Sequence, residues 1–351
     1  MNKAQIIEYL NYSKSEALKL FELARATKLK YVGDKVFLRG IIEFSNICIK
    51  NCYYCGIRRD NKKLKRYTLT DKEIITSALY AYKNKMGSIV LQSGERKDKN
   101  FVNKITFLIK EIKNKTNGNL GITLSLGEQD KEVYKEWFKA GAHRYLLRIE
   151  VSNPNLYKIY HPDDSVHSYH NRLKCLYYLK EIGYQTGTGV MIGLPFQKIE
   201  DLADDLLFFR EIDIDMVGMG PYIEHSNTPL YKYRKKLLSL KERIFLSFKM
   251  IAVLRLLMPD INIAATTALQ AIDPMGREKA IKIGANVIMP NITPGYVRKN
   301  YFLYENKPCS EENSEDCLPC LINRLKIIGA KVALEEWGDS KHYFNRLKKQ
   351  A

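Results

Sequence analysis

Short apolar runs alternate along this chain with longer stretches whose apolar residues return at every third or fourth position. The runs centre on 40–44, 88–92, 121–125, 144–148, 185–191, 215–218, 261–264 and 286–289, and runs this short and continuous predict strands buried on both faces. Helical spacing fills 71–86, 99–116, 130–140, 168–183, 199–213, 236–258 and 276–283. Punctuation supports the same division. Thr70 ahead of Asp71-Lys72-Glu73 predicts a capping box, and Gly87, Gly141, Gly183 and Gly284 stand where helices are expected to stop. Eight strands separated by helices predict an α/β fold, a complete parallel (β/α)8 barrel of the TIM type, with an open doubly wound sheet as the structural alternative. The expected division is a helical lead-in over 1–35, the barrel over 36–293, and a cysteine-containing C-terminal extension over 294–351.

Strand alternation then says which side chains share a face. Arg39, Ile41 and Glu43 do so on the first strand, Ser88, Val90 and Gln92 on the second, and Thr123 and Ser125 on the third. On the fourth the set is Arg144, Leu146, Arg148 and Glu150. A barrel lumen is normally filled with branched aliphatic residues, so charges inside need a partner or a ligand. Internal ion pairs, Arg39 with Glu43 for example, are one solution. A water-excluding cavity that offers guanidinium groups to an anionic substrate is the sharper one.

The 351 residues are 45% hydrophobic and 27% charged, ordinary for a soluble globular protein. No apolar run is long enough to span a bilayer and no signal peptide follows Met1-Asn2-Lys3-Ala4-Gln5, so the expected location is the cytoplasm. The formal net charge is +18, yet lysine is scattered among abundant Ile, Asn and Tyr, which argues against a nucleic-acid surface. Only Lys62-Lys63-Leu64-Lys65-Arg66 and Lys232-Tyr233-Arg234-Lys235-Lys236 are concentrated.

Seven cysteines, an odd number without an export signal, favour reduced thiols used as ligands over a disulfide framework. Cys175 stands alone in an apolar helical run and reads as a small buried residue. Cys48, Cys52 and Cys55 form a C-x3-C-x2-C motif with Tyr54 just before the third thiol. Three thiolates can hold three irons of a 4Fe–4S cube and leave the fourth iron open to a small molecule. They are one ligand short of a closed zinc site. Cys309, Cys317 and Cys320, spaced C-x7-C-x2-C beyond the eighth strand, suit a second iron–sulfur cluster; zinc there lacks a close fourth ligand, because His342 lies far along.

The first motif resembles the cluster loop of the radical S-adenosylmethionine (SAM) superfamily. The resemblance extends through Ile42-Glu43-Phe44-Ser45-Asn46-Ile47-Cys48, Gln92-Ser93-Gly94-Glu95, Ser125-Leu126-Gly127-Glu128, Arg144-Tyr145-Leu146-Leu147-Arg148, Ala264-Ala265-Thr266-Thr267 and Ile288-Met289-Pro290-Asn291. Together these are similar to the HydE-type maturases of FeFe-hydrogenase, in the group that also holds biotin synthase and methylornithine synthase. The resemblance implies that Cys48, Cys52 and Cys55 ligate the cluster and that Tyr54, Ser93, Gly94, Glu95, Glu150 and Arg172 contact SAM. It implies a substrate cavity lined by Arg39, Gln92, Thr123, Arg148, Thr266 and Thr267, closed by Tyr301 and Tyr304. Gly193-Leu194-Pro195 would pass near the adenosine, with one departure: Phe196 stands where a glycine usually follows the proline.

The implied activity is reductive cleavage of SAM to a 5′-deoxyadenosyl radical, used in assembling the hydrogenase H-cluster. The implied substrate is a cysteine-bound iron carbonyl/cyanide complex supplied by the maturase HydG. Product would pass to the scaffold maturase HydF, and a ferredoxin or flavodoxin would supply electrons. HydE-type proteins often carry a C-terminal cysteine trio, so the second site resembles an accessory cluster. The rivals are a methylornithine synthase-like mutase and a biotin synthase-like sulfur-inserting enzyme, although no barrel strand offers the extra cysteines of the latter. A tRNA-modifying radical enzyme would need an added RNA-binding domain, and an electron-transfer ferredoxin would leave the polar barrel unexplained.

Overall fold

A computed structural model describes residues 1–309 and 314–350, the side chains of 314–317 and 350 excepted. The strands are β1 (Lys35–Ser45), β2 (Ser88–Ser93), β3 (Gly121–Ser125), β4 (Arg144–Leu146), β5 (Gln185–Thr188), β6 (Met191–Ile192), β7 (Met216–Pro221), β8 (Asn262–Ala265), β9 (Val287–Ile288) and β10 (Lys331–Ala333). All pair in parallel, in the order β1-β2-β3-β4-β5-β7-β8-β9. β9 returns to β1 through Phe37↔Val287 and Leu38↔Ile288, which closes the expected eight-stranded barrel. The expected fifth strand splits in two where Gly189 crosses Gly218: a Cβ at Gly189 would lie 1.9 Å from the Gly218 carbonyl oxygen. β6 then pairs separately with β7.

Two helices, α1 (Lys3–Asn11) and α2 (Lys14–Tyr31), precede the barrel, each opening on a capping box. The outer ring is α3 (Asp71–Lys83), α4 (Lys99–Lys115), α5 (Lys131–Ala140), α6 (Pro154–Tyr160), α7 (Tyr169–Ile182), α8 (Ile199–Glu211), α9 (Leu240–Leu257), α10 (Thr267–Ile272) and α11 (Gly276–Ile283). The segment beyond carries α12 (Gly295–Arg298), α13 (Ser314–Ile327) and α14 (Lys341–Gln350). Thr70 caps α3 as expected, its hydroxyl accepting from the Glu73 amide. Gly141 and Gly183 end α5 and α7 in left-handed conformations, and Gly284 follows α11 in an extended one. Gly87 has a different reason: a Cβ there would sit 1.7 Å from the Glu336 carbonyl oxygen of a distant segment that crosses it.

That segment builds the floor of the barrel. The Gly338 carbonyl accepts from Arg39 (2.8 Å) and Asn262 (2.9 Å), and the Trp337 carbonyl accepts from Arg144 (2.9 Å). Asp339 pairs with Arg144 at 2.6 Å, and Gln185 accepts from the Ser340 amide. β10 extends the seal by pairing with the start of β1. The consequence corrects two expectations. Arg39 and Thr123 are buried but do not line the cavity: Arg39 stands opposite Ser88, where β2 begins, and Thr123 opposite Arg144, where β4 begins. Alternation gives the face but not the depth, and both belong to the floor, Thr123 accepting from Arg144 Nε at 3.0 Å.

Candidate cofactor and substrate site

β1 delivers the chain to the opposite, C-terminal face, where the loop of Cys48, Cys52 and Cys55 begins. Backbone groups that no strand satisfies are taken up by side chains. Arg66 donates to the carbonyls of Asn46, Ile57 and Arg58, and Asn61 donates to Gly56. From the barrel side, His167 accepts from the Asn51 amide at 2.7 Å, and the Tyr160 carbonyl accepts from the Tyr53 amide at 2.9 Å. His161 lies 3.2 Å from the Tyr54 hydroxyl. Burial holds the His161 imidazole neutral, its pKa lowered to about 3.

Burial pushes the Cys52 thiol up to about 12, with the neighbouring Cys48 adding to the effect, and raises Cys48 and Cys55 as well. Three thiolates crowded out of water need cations to neutralise them, which iron supplies. A cubane takes one thiolate per iron and so suits three cysteines, whereas a closed zinc site needs a fourth ligand. The residues present fit the cluster.

At the end of β2 the chain presses against this loop. A Cβ on Gly94 would lie 2.4 Å from the Ile47 carbonyl oxygen, so only glycine fits. The Glu95 amide donates to Cys48 Sγ at 3.3 Å. Its carboxylate joins a buried set with Lys50, Glu128 and Arg172: Lys50–Glu128 at 2.8 Å, Arg172–Glu128 at 2.9 Å, Lys50–Glu95 at 3.4 Å and Arg172–Glu95 at 3.8 Å. Burial raises the Glu95 carboxyl, whereas Arg172 and Lys50 outweigh burial at Glu128 and hold it below the usual range. Buried Glu95 Oε1 accepts no hydrogen bond and has only the long Lys50 ion pair at 3.4 Å. An acceptor so thinly satisfied, lining the cavity beside the cluster loop, fits the ammonium of an amino-acid cofactor.

Cluster loop and strand ends enclose one cavity of about 640 Å³. Tyr54, Ser93, Gly94, Glu95, Glu150 and Arg172 line it, as do Gln92, Arg148, Thr266, Thr267, Tyr301 and Tyr304. Glu150 holds a left-handed backbone (φ +68°), strained for a non-glycine residue, with its carboxylate gripped by Arg148 at 2.9 Å. Tyr304 shares a hydrogen bond with Thr267 (2.9 Å). The turn after β6 explains the Phe196 departure. Phe196 itself takes the left-handed conformation (φ +70°), and Gln197 Oε1 accepts from the Gly193 and Leu194 amides.

Sequence reasoning missed the residues that complete the chamber. Lys307 reaches from the C-terminal segment to Glu43, 2.6 Å from Oε2, and donates to the Tyr301 carbonyl. Lys50 and Glu128 were legible only as neighbours of recognised motifs. Cys309 and Cys320 line the same cavity, while the side chain of Cys317 lies outside the described residues.

A closed parallel barrel with a three-cysteine loop on its C-terminal face defines the radical SAM class of enzyme. The Radical SAM superfamily model matches residues 42–209. The chain is 49% identical to the [FeFe] hydrogenase maturase subunit HydE of Thermotoga maritima, over 93% of this chain and 89% of that protein. The chain belongs to this superfamily and, within it, to the HydE family, and it is a radical SAM enzyme. The family implies a 4Fe–4S cluster and SAM. The crystal structure of methylornithine synthase (PylB) superposes with a TM-score of 0.80 at 25% identity, covering 95% of this chain and 94% of that one. The FeFe-hydrogenase maturase HydG from Carboxydothermus hydrogenoformans shares the fold, with a TM-score of 0.78 at 20% identity over 95% and 76%.

Proposed function

We propose that this enzyme acts in H-cluster maturation, on a small anionic iron complex bearing cysteine, carbonyl and cyanide. The carrying observation is the chamber itself, about 640 Å³, bounded by the cysteine loop at one end and containing Arg148 and Thr267 within its walls. When bound there, the cluster and SAM supply a 5′-deoxyadenosyl radical. Cys48, Cys52 and Cys55 would hold the cubane. Glu95 would take the SAM ammonium, Ser93 and Gly94 would bring the backbone alongside it, and Glu150, Arg172 and Tyr54 would fix the rest of the cofactor. Arg148 would offer its guanidinium to the anionic complex, with Gln92, Thr266 and Thr267 as polar partners and Tyr301 and Tyr304 excluding water.

In this reading HydG supplies the complex, HydF receives the product and a ferredoxin or flavodoxin provides the electron, all in the cytoplasm. Among the described residues no helix is long and apolar enough to cross a membrane. Cys309, Cys317 and Cys320 would hold an accessory iron–sulfur cluster. The similarity to methylornithine synthase favours a second reading, an amino-acid mutase. Anaerobic reconstitution with SAM, reductant and the carbonyl–cyanide iron complex separates the two. Maturation requires the complex to be consumed together with SAM. SAM cleavage indifferent to the complex, with formation of methylornithine from an amino-acid substrate, would install the mutase in its place.

A further inference from the structure

The two basic runs have no role in the chamber, yet both border its cluster loop. We propose that they form the docking surface of a small acidic electron-transfer protein. The inference rests on the radical SAM reading of the loop, whose cubane receives its electron from outside the protein.

Residues 56–66 carry six basic side chains against one acidic, Asp60, and residues 229–236 carry four with no acid, so these two short segments hold half of the formal net charge of +18. Lys62, Lys63 and Lys65 in the first and Lys235 and Lys236 in the second are exposed. Among the described residues none of the five has a carboxylate partner. Each segment is tied to the loop by hydrogen bonds. The Arg59 amide donates to the Lys50 carbonyl (2.8 Å), and the Leu230 amide to the Tyr53 carbonyl (3.0 Å).

Arg66 is half-buried and donates to the carbonyls of Asn46, Ile57 and Arg58, which ties the base of the first segment, and the lysines it carries, to the loop. Among the described residues the five make no ion pair, and Lys236 alone rests on a ring, its Nζ 5.7 Å from the Phe196 centre. Ile47 on the loop (39% exposed) and Leu238 after the second run (47%) add apolar contact. This composition suits a transient interface, in which charge sets the encounter rate and small apolar patches complete the fit. The step moves one electron. The carrier is oxidised by one, the cubane is reduced by one, and no bond or proton changes hands.

The test uses the reconstituted holoenzyme and two charge-reversal variants, K62E/K63E/K65E and K235E/K236E. Cluster bleaching is followed by stopped flow with an acidic 2Fe–2S ferredoxin, and separately with photoreduced deazariboflavin, an uncharged reductant. Binding of oxidised ferredoxin to the protein without its cluster is titrated in parallel. Each variant should lose roughly tenfold in ferredoxin-driven bleaching at low salt and most of its salt dependence. Ferredoxin binding should weaken alike, and the deazariboflavin rate should stay unchanged. Unaltered ferredoxin rates in both variants would overturn the proposal, as would equal losses with deazariboflavin. Tighter binding of single-stranded RNA than of ferredoxin at physiological salt would make the surface a nucleic-acid site. Failure of any reductant to bleach the wild-type cluster would instead count against the cluster reading.

Discussion

Glu43 and Lys307 face each other with side chains only 4% and 6% exposed, so neither charge has water to fall back on. Removing one partner strands the other, and Lys307→Met should destabilise by about 3–5 kcal/mol in chemical denaturation. Glu43→Gln added to it should recover much of that loss, and a strictly additive double variant would show that the pair is not coupled. Gly94→Ala tests a different kind of constraint. The added methyl meets loop backbone, so iron content should fall by more than half while circular dichroism stays native; full cluster occupancy would mean that the loop yields freely. At this scale the sequence disclosed what local spacing encodes: three cysteines, the Ser93-Gly94-Glu95 corner and the polar ends of strands. It withheld Lys307, because its partner lies 264 residues away and nothing in either neighbourhood marks the meeting.

Seven of the expected helices and all eight barrel strands appear where periodicity put them, since each buries a continuous apolar face. The short pieces escaped. β6, with two residues, and β10, with three, are below the length at which alternation can be read, and α10 carries only six residues. α14 was missed too, although it anchors the floor: His342 sits between Asp260 (2.9 Å) and Asp213 (2.6 Å), and Arg346 pairs with Asp213 and Asp215. Burial would lower the imidazole pKa, but the two carboxylates outweigh it and raise the value. A raised value means that the folded state holds this proton more tightly than the unfolded chain does. The stabilisation is therefore complete below the ordinary histidine pKa and is lost as pH rises through the elevated one. Thermal midpoints should fall by roughly 2 °C more in wild type than in His342→Gln between pH 6 and 9. Parallel curves would refute the assignment.

The floor also makes a claim about the molecule as a unit. Carbonyls of Trp337 and Gly338 satisfy buried arginines, so lifting the segment would leave Arg39 with only the Met216 sulfur and Arg144 with only Thr123 inside the barrel. Detachment should then coincide with global unfolding. The chain has two tryptophans, Trp137 in the barrel shell and Trp337 in the floor, the latter under the Lys113 ammonium at 4.3 Å. In Trp137→Phe, fluorescence from Trp337 should trace the same urea midpoint as far-ultraviolet dichroism; an earlier fluorescence transition would show a floor that opens on its own.

Because β10 pairs with the first residues of β1, the tube begun at Lys35 is finished only by chain synthesised some three hundred residues later. On the ribosome the cysteine loop is complete long before its chamber has a base, and iron inserted then would be open to water and oxygen from below. Stable metal loading is accordingly expected only once β10 and the floor segment have been made and have closed the tube.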